Sequence, residues 1–435
     1  MALSTQPYKG ARDFYPEDKR LQKYMFGKWR AVAERFGYEE YDAPILEPLE
    51  IYLAKTGEEI VNEQTYTFED RGGRKVVIRP EMTPTVSRMV AARRQELAYP
   101  LRWYSIPNLW RYERPQRGRL REHWQFNADI FGVAGVEAEY EIITLVDAMF
   151  KAFDAKHDMY EIRLNSRKFM DYILGEYLKL NQKEAHAVSK LIDRLHKLER
   201  GGFISKIDAV IEPKKLSTGL VEKLLAILDT KDLSKLPAEL KQHESISQLQ
   251  TMIDKLRGAG IHNVVFDASL MRGFDYYTDI VFEVFDKHPD NNRSMLGGGR
   301  YDGLVGLFGV APVPTVGFGW GDVTLANFLE LHNLLPALPP ETDVYAVLVG
   351  DVAAAAAKPI AELRGLGVNV AVDLSGRKLG DQLKAADKKG LNFALVIGET
   401  ELADGKFKLK NLVTGTEQTL ELQKIAQALE AQRQA

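Results

Sequence analysis

Apolar and polar positions follow two rhythms along this chain, and the places where the rhythm changes divide it. Residues 17–36 set Leu21, Met25, Trp29 and Val32 at helical spacing among charged neighbours, which predicts an amphipathic helix. An extended segment follows, YDAPILEPLEIY, interrupted by Pro44 and Pro48. Residues 65–79 alternate around RGGR and predict a hairpin. The next helix is expected from near Pro84 to about Leu97. Strands then flank a polar loop over 111–121, and a long helix covers roughly 136–155.

The rhythm shifts near residue 165. From Ser166 to Arg257 the chain is rich in Lys, Leu, Glu and Asp with helical periodicity, which predicts a helical insertion. Strand character returns at 263–269 and 277–285, then reaches the glycine-rich GGGRYDGL, a strand and turn at PTVGFGWG, and a helix at DVTLANFLELHNLL. Beyond the proline-rich LLPALPPE, the segments VYAVLVG, VNVAVDL and FALVIGE alternate with helices over 352–365 and about 379–389, which implies a small parallel or mixed sheet. The expected organisation is a core over 1–165, an insertion over 166–258, a return to the core over 259–333, a linker at 334–341 and an α/β domain over 342–435.

Composition changes this picture mainly by exclusion. At 435 residues, with 45% hydrophobic and 27% charged content, the chain reads as a soluble globular enzyme of two or three domains. A net charge of -3 means that any nucleic-acid surface must be a local patch. The lack of cysteine removes disulfides, thiolate zinc sites and cysteine nucleophiles; the eight histidines form no HExxH pair. No leader-like segment and no run of eighteen apolar residues appear, so a cytoplasmic protein without membrane contact is expected.

The chemistry concentrates in RYERPQRGRLREHWQFNADIFG, residues 111–132. Arg111, Arg114, Arg117, Arg119 and Arg121 crowd one loop between strands, and guanidinium forks grip phosphate bidentately. Gln125 and Asp129 follow at even spacing on a strand, so both face one side. A polyphosphate beside a small polar molecule fits such a pocket. In LMRGFDYY, Arg272 and Asp275 flank Gly273 before Tyr276 and Tyr277. In RPEMT, Glu81 and Thr83 face one way if extended and would suit an ammonium group; a helix cap at Thr83 is the alternative. GFGWG is neither a P-loop nor a Rossmann fingerprint, and a glycine-lined strand against which a flat ring lies accounts for it better.

Together RYERPQRGR with QFNADIFG, RPEMT, LMRGFDYY and GGGRYDGL resemble bacterial histidyl-tRNA synthetase, a class II aminoacyl-tRNA synthetase. The stretch LGVNVAVDLSGRKLGDQLKAADKKG resembles that family's anticodon-binding domain. The resemblance implies an α+β fold: an antiparallel-sheet catalytic core with a helical insertion, and a C-terminal α/β anticodon-binding domain. APILEP resembles the class II dimerisation motif ending in proline, here Pro44, so a homodimer is implied. The implied activity is activation of L-histidine with ATP to histidyl-adenylate and transfer to tRNA(His). ATP would arrive with Mg2+; no organic cofactor, zinc or protein-only metal site is expected. By the same resemblance Arg111 and Arg272 flank the α-phosphate as catalytic groups, Glu113 meets the adenine side and Arg119 the terminal phosphates. Glu81, Thr83 and Gln125 surround the α-amine of histidine. Asp129 and Tyr277 read the imidazole, and Tyr276 and Tyr301 line the same pocket. Asp129 stands where the family usually has glutamate. Gln116 and Arg117 would meet the tRNA acceptor end, and Arg377 and Lys378 the anticodon region, with Lys384, Lys388 and Lys389 beyond.

One departure shows. The third class II motif normally carries an arginine that reaches the γ-phosphate, and aligning GFGWGDVTL puts Thr324 there. Arg119 and Arg121 are the candidates to substitute. The alternative function is a non-catalytic, histidine-sensing regulatory paralogue; a sister class II synthetase for another amino acid is a third reading. Intact RGFDYY and the C-terminal domain favour the histidine ligase.

Overall fold

The computed structural model describes residues 3–53, 64–195, 198–216, 219–271, 276–291 and 293–434. The chain divides into two compact units. One comprises residues up to Asp13 with Gln22–Leu335; the other comprises Phe14–Leu21 with the chain from Pro336 onward.

The first unit is built on a nine-stranded sheet. Its strands are β1 (Glu39–Glu40), β5 (Leu101–Ser105), β6 (Asn108–Trp110), β7 (Glu122–Phe131), β8 (Tyr160–Ser166), β9 (Val264–Phe266), β10 (Ile280–Asp286), β11 (Ser294–Arg300) and β12 (Thr315–Gly321). They lie in the order β1-β5-β7-β12-β11-β10-β8-β9, with β6 on β7. Pairing is antiparallel except at the two edges, β1 with β5 and β8 with β9. A separate three-stranded sheet joins β2 (Leu46–Pro48), β4 (Lys75–Ile78) and β3 (Tyr66–Glu69).

The alternation on β7 separates core from site. Phe126, Ala128 and Ile130 are buried on one face, where Phe126 meets Trp29 from the helix Pro16–Arg35 and Phe318 from β12. Trp320 and Phe150, the latter on the helix Glu137–Ala152, complete this aromatic layer. The opposite face carries His123, Gln125, Asn127 and Asp129. The register places Gly321, Gly319 and Gly317 of β12 across from Gln125, Asn127 and Asp129, and then Gly297 and Gly299 of β11 across from Gly319 and Gly317. Five glycines therefore floor one face of the central strands. Gly298 points to the other face, and a Cβ there would stand 2.2 Å from the Gly317 carbonyl oxygen and 2.6 Å from Phe318 Cβ.

Several boundaries differ from the expected ones. The helix after RPEM spans Thr83–Ala92 and stops short of Leu97, because Arg93, Arg94, Gln95 and Glu96 present no apolar face to bury. Its cap position is Met82, so Thr83 lies inside the first turn and caps nothing. β10 starts at Ile280, and Tyr277 and Thr278 stay outside it. The segment 263–269 narrows to Val264–Phe266, since the Asp267 carboxylate accepts from the backbone and hydroxyl of Ser269 and turns the chain. The insertion is helical from Arg167 to Gly258 across its described residues.

In the second unit the sheet runs β14 (Val370–Val372), β13 (Val344–Leu348), β15 (Phe393–Ile397), β16 (Phe407–Asn411), β17 (Glu417–Leu420). The first three strands are parallel and the last two antiparallel. Val344, Ala346, Leu395 and Ile397 pack with Leu363, Ile425 and Leu429 of the helices Ala353–Gly365 and Leu422–Gln434. The hairpin is hidden in the sequence because KFKLKN and EQTL carry too few apolar residues to advertise a strand pair, whereas the final helix shows Leu422, Ile425 and Leu429 at helical spacing.

Gly298→Ala should destabilise the protein by about 1–3 kcal/mol, since backbone rather than a flexible side chain blocks the added methyl. Urea denaturation checks this, and an unchanged midpoint would contradict the packing described for β11 against β12.

Candidate active site

Two buried carboxylates mark the site, each hydrogen-bonded to a tyrosine, and one of them, Asp129, stands on this glycine-floored face. Asp129 lies over Gly317, where a Cβ would come within 1.9 Å of its Oδ1. The Tyr301 hydroxyl donates to that Oδ1. Burial pushes the Asp129 carboxyl up to about 7, and the Tyr301 hydrogen bond opposes only part of that rise. The Tyr301 phenol is raised well above its ordinary value by burial and then by Asp129. Glu81, also buried, accepts from the Tyr276 hydroxyl at 3.2 Å. The Tyr276 and Tyr301 rings meet at 5.6 Å, and Tyr277 lies 4.8 Å from Tyr276 and fills the space above Gly299. Gln125 sits against Gly319, with its amide 2.8 Å from the place of a Cβ. The structure thus brings together Glu81, Gln125, Asp129, Tyr276, Tyr277 and Tyr301. Thr83 begins the adjacent helix; its carbonyl accepts from Ser87, and the extended pairing with Glu81 expected from RPEMT is absent because the helix has already started.

The chain fixes this pocket from behind. Arg300 precedes Tyr301 and makes a buried bidentate pair with Glu139, both bonds 2.6 Å, plus bonds to the carbonyls of Val133 and Gly135. A buried guanidinium with its donors so engaged is structural, and it holds the backbone that presents Tyr301.

The phosphate-seeking residues surround the loop between β6 and β7. Arg111 Nε donates to the Pro80 carbonyl at 2.8 Å, which fastens it to the segment that carries Glu81. Gln116 and Arg119 pair across the loop tip, where Gly118 takes a φ of +78°. Arg119 approaches Glu113 at 3.8 Å. Arg121 is engaged elsewhere: it covers the Tyr112 ring at 3.9 Å, donates to the Glu113 carbonyl and to the Tyr8 hydroxyl, and packs against Gly10. Residues 8–12 clasp this loop further. The Gly10 carbonyl accepts from the backbone of Arg121 and Glu122, and Arg12 pairs with buried Asp322 at 2.7 Å.

Four neighbours of the site escaped the sequence reading. His123 and Asn127 share a face with Gln125 and Asp129, and the period of two could have found them. Burial, then Arg111 and Arg12, hold the His123 imidazole down to about 3, so it stays neutral near the phosphate loop. Tyr41 feels the Asp129 charge, and Ser105 pairs with Asn127 in the sheet register; both close the Asp129 end, and only tertiary contact reveals them.

Arg272, Gly273 and Asp275 lie outside the described residues. In the second unit, Arg377 donates to Ser375 Oγ at 2.7 Å and to Asp373 at 3.3 Å, so half of its fork is committed. Lys378 precedes the helix Leu379–Lys388, and the buried Gln382 amide fastens this loop by donating to the carbonyls of Arg377 and Leu348. Lys384 is 3.8 Å from Asp381 and Lys389 covers the Tyr345 ring. Among the described residues no three histidine, aspartate or glutamate side chains gather to hold a metal ion.

A family model described as histidyl-tRNA synthetase matches residues 10–321, and one described as an anticodon binding domain matches 343–432. Histidine–tRNA ligase of Leptospira biflexa is 43% identical over 433 residues, covering 98% of each chain. That of Thermoplasma volcanium is 38% identical over 429 residues, covering 98% of this chain and 99% of its own. The crystal structure of histidyl-tRNA synthetase from Nostoc sp. superposes with a TM-score of 0.82 at 24% identity, covering 99% of this chain and 100% of that one, and supports the fold.

The raised Asp129 pKa has a direct consequence. An ordinary aspartate near 3.9 in the unfolded chain ionises before the folded one does, so stability present below about pH 4 is lost as pH rises through about 7. Asp129→Asn keeps an acceptor for Tyr301 without a charge. Its melting temperature should exceed that of the parent protein at about pH 8 and match it at about pH 4. A pH-independent difference in thermal melts would contradict the buried, titrating carboxylate.

Proposed function

The chain belongs to the histidyl-tRNA synthetase family, and from that premise we propose how its own residues perform the reaction. It activates histidine with ATP and transfers the histidyl group to tRNA(His), as the end-to-end match to ligases and the presence of both the catalytic and anticodon-binding parts support. That match sets aside the regulatory alternative raised by Thr324. The observation that carries the site assignment is the pair of buried carboxylates, Glu81 and Asp129, held by Tyr276 and Tyr301, whose rings meet, with Asp129 over the glycine floor.

Glu81 is suited to the α-ammonium, with Gln125 and Thr83 nearby. Asp129 has one oxygen engaged by Tyr301 and a second to accept from an imidazole N–H, with Tyr277 closing the side. A site built around a buried acceptor rejects apolar amino acids strongly, because they leave it unpaired. The histidine carboxylate then attacks the α-phosphorus and pyrophosphate leaves. Arg111, aimed by Pro80, would meet the charge gathering on the α-phosphate oxygens, and the resemblance assigns Arg272 to the opposite side. The carboxylate is already a nucleophile, so no general base is required. Magnesium would arrive on the phosphates, held mainly by phosphate and water, while the resemblance assigns Glu113 to the adenine side.

A homodimer in the cytoplasm is part of the same proposal. Ile45, just ahead of β2, and Leu46 and Phe68 of the three-stranded sheet are each more than two-fifths exposed, and Ile45 follows Pro44 of the dimerisation-like motif. The transfer step would place Gln116 and Arg117 at the acceptor end and Arg377 and Lys378 at the anticodon.

ATP–pyrophosphate exchange with each of the twenty amino acids should respond to histidine, and a response to another amino acid would overturn the assignment. Arg111→Ala should lower histidine-dependent exchange by roughly 10²–10³-fold, and near-normal turnover would remove the proposed role. Replacing Ile45 and Leu46 together by Asp should convert the dimer to monomer in light scattering; an unchanged mass would remove that surface from the proposal.

A further inference from the structure

Thr324 leaves the phosphate end without the cation that the resemblance leads one to expect there. Its hydroxyl donates to the carbonyls of Met295 at 2.8 Å and Gly321 at 2.9 Å, and its methyl lies 3.9 Å from where a Cβ on Gly118 would stand. The first turn of the helix Asp322–Leu331 therefore sits under the loop tip and carries no cationic residue of its own. The carbonyl that Thr324 holds is two residues from Arg293, which immediately precedes β11. Arg293 is exposed and reaches the same loop from that strand. Its Nη1 donates to the Arg117 carbonyl at 3.3 Å and its Nη2 to Gln116 Oε1 at 3.4 Å. Both acceptors are neutral, so these contacts position the guanidinium without compensating its charge. Of the other two candidates, Arg121 is stacked on Tyr112, and Arg119 leans toward Glu113, whose carboxylate offsets part of its charge.

We propose that Arg293 is an ATP-binding residue that meets the terminal phosphates in place of an arginine at position 324, an assignment that rests on the ligase reading of the site. A guanidinium has five donors, and two long bonds to the loop leave the others for phosphate oxygens. Moving the cation from the helix to the adjoining strand keeps positive charge at the loop tip. It also couples the ligand to the loop, because one side chain touches both.

The test uses the full chain and two readouts. Calorimetry with ATP and with AMP, both in magnesium, measures binding without turnover. In Arg293→Ala, ATP binding should weaken by roughly tenfold or more while AMP binding stays within about twofold, since only the terminal phosphates are affected. Arg293→Lys should recover part of the loss, because it restores charge without the fork. In the exchange assay the KM for ATP should rise while the KM for histidine holds. Unchanged ATP affinity, or equal weakening of ATP and AMP, would overturn the assignment, the latter by making Arg293 a loop support. A selective loss of ATP binding in a protein that no amino acid drives to exchange would sink the ligase reading and leave Arg293 on the phosphates.

Discussion

Everything at this site depends on the absence of side chains along one face of β11 and β12. A methyl on Gly317 would occupy the place of the Asp129 carboxylate, and one on Gly299 would meet Tyr277 at 2.9 Å. Removing five Cβ atoms creates depth in a sheet that would otherwise be filled, and the depth is what lets an acidic group lie away from water. Burial then raises the Asp129 pKa, and a hydroxyl partner limits the rise. Geometry and electrostatics are here the same fact.

The two ends of the cleft solve opposite problems. At the Asp129 end a carboxylate is shielded from water, and tyrosines supply donors that add no charge. In the loop between β6 and β7 several cations stay close together. His123 lowers that tension by remaining neutral beside Arg111 and Arg12, and Arg121 by spending its face on aromatic rings. The arginines of RYERPQRGRLR therefore differ in their engagement with the scaffold, although the sequence writes them alike.

That division marks how far the sequence was legible. The loop, the even spacing of Gln125 and Asp129, the helical insertion and the alternation after the linker all follow from local periodicity, which residues close in the chain determine. Arg293 was invisible because its relation to Gln116 runs through the β11–β12 register and a helix underneath. Tyr41 and Ser105 were hidden for the same reason, as they approach Asp129 from strands distant in sequence. Thr83 shows the limit of local reading: a polar residue before a helix reads equally as cap or ligand, and the first turn begins at Thr83 itself, which removes only the cap.

The clasp formed by residues 8–12 changes what the leading segment of the chain does. Gly10 threads beneath Arg121 with a left-handed backbone, and Arg12 is tied to Asp322 at the head of the helix that bears Thr324. These few residues act as a guy-line between the arginine loop and the helix Asp322–Leu331, which are far apart along the chain. Tension or slack introduced at that strap, for instance by a bulky fusion placed just ahead of it, would be transmitted to that loop and that helix while the sheet itself stayed intact.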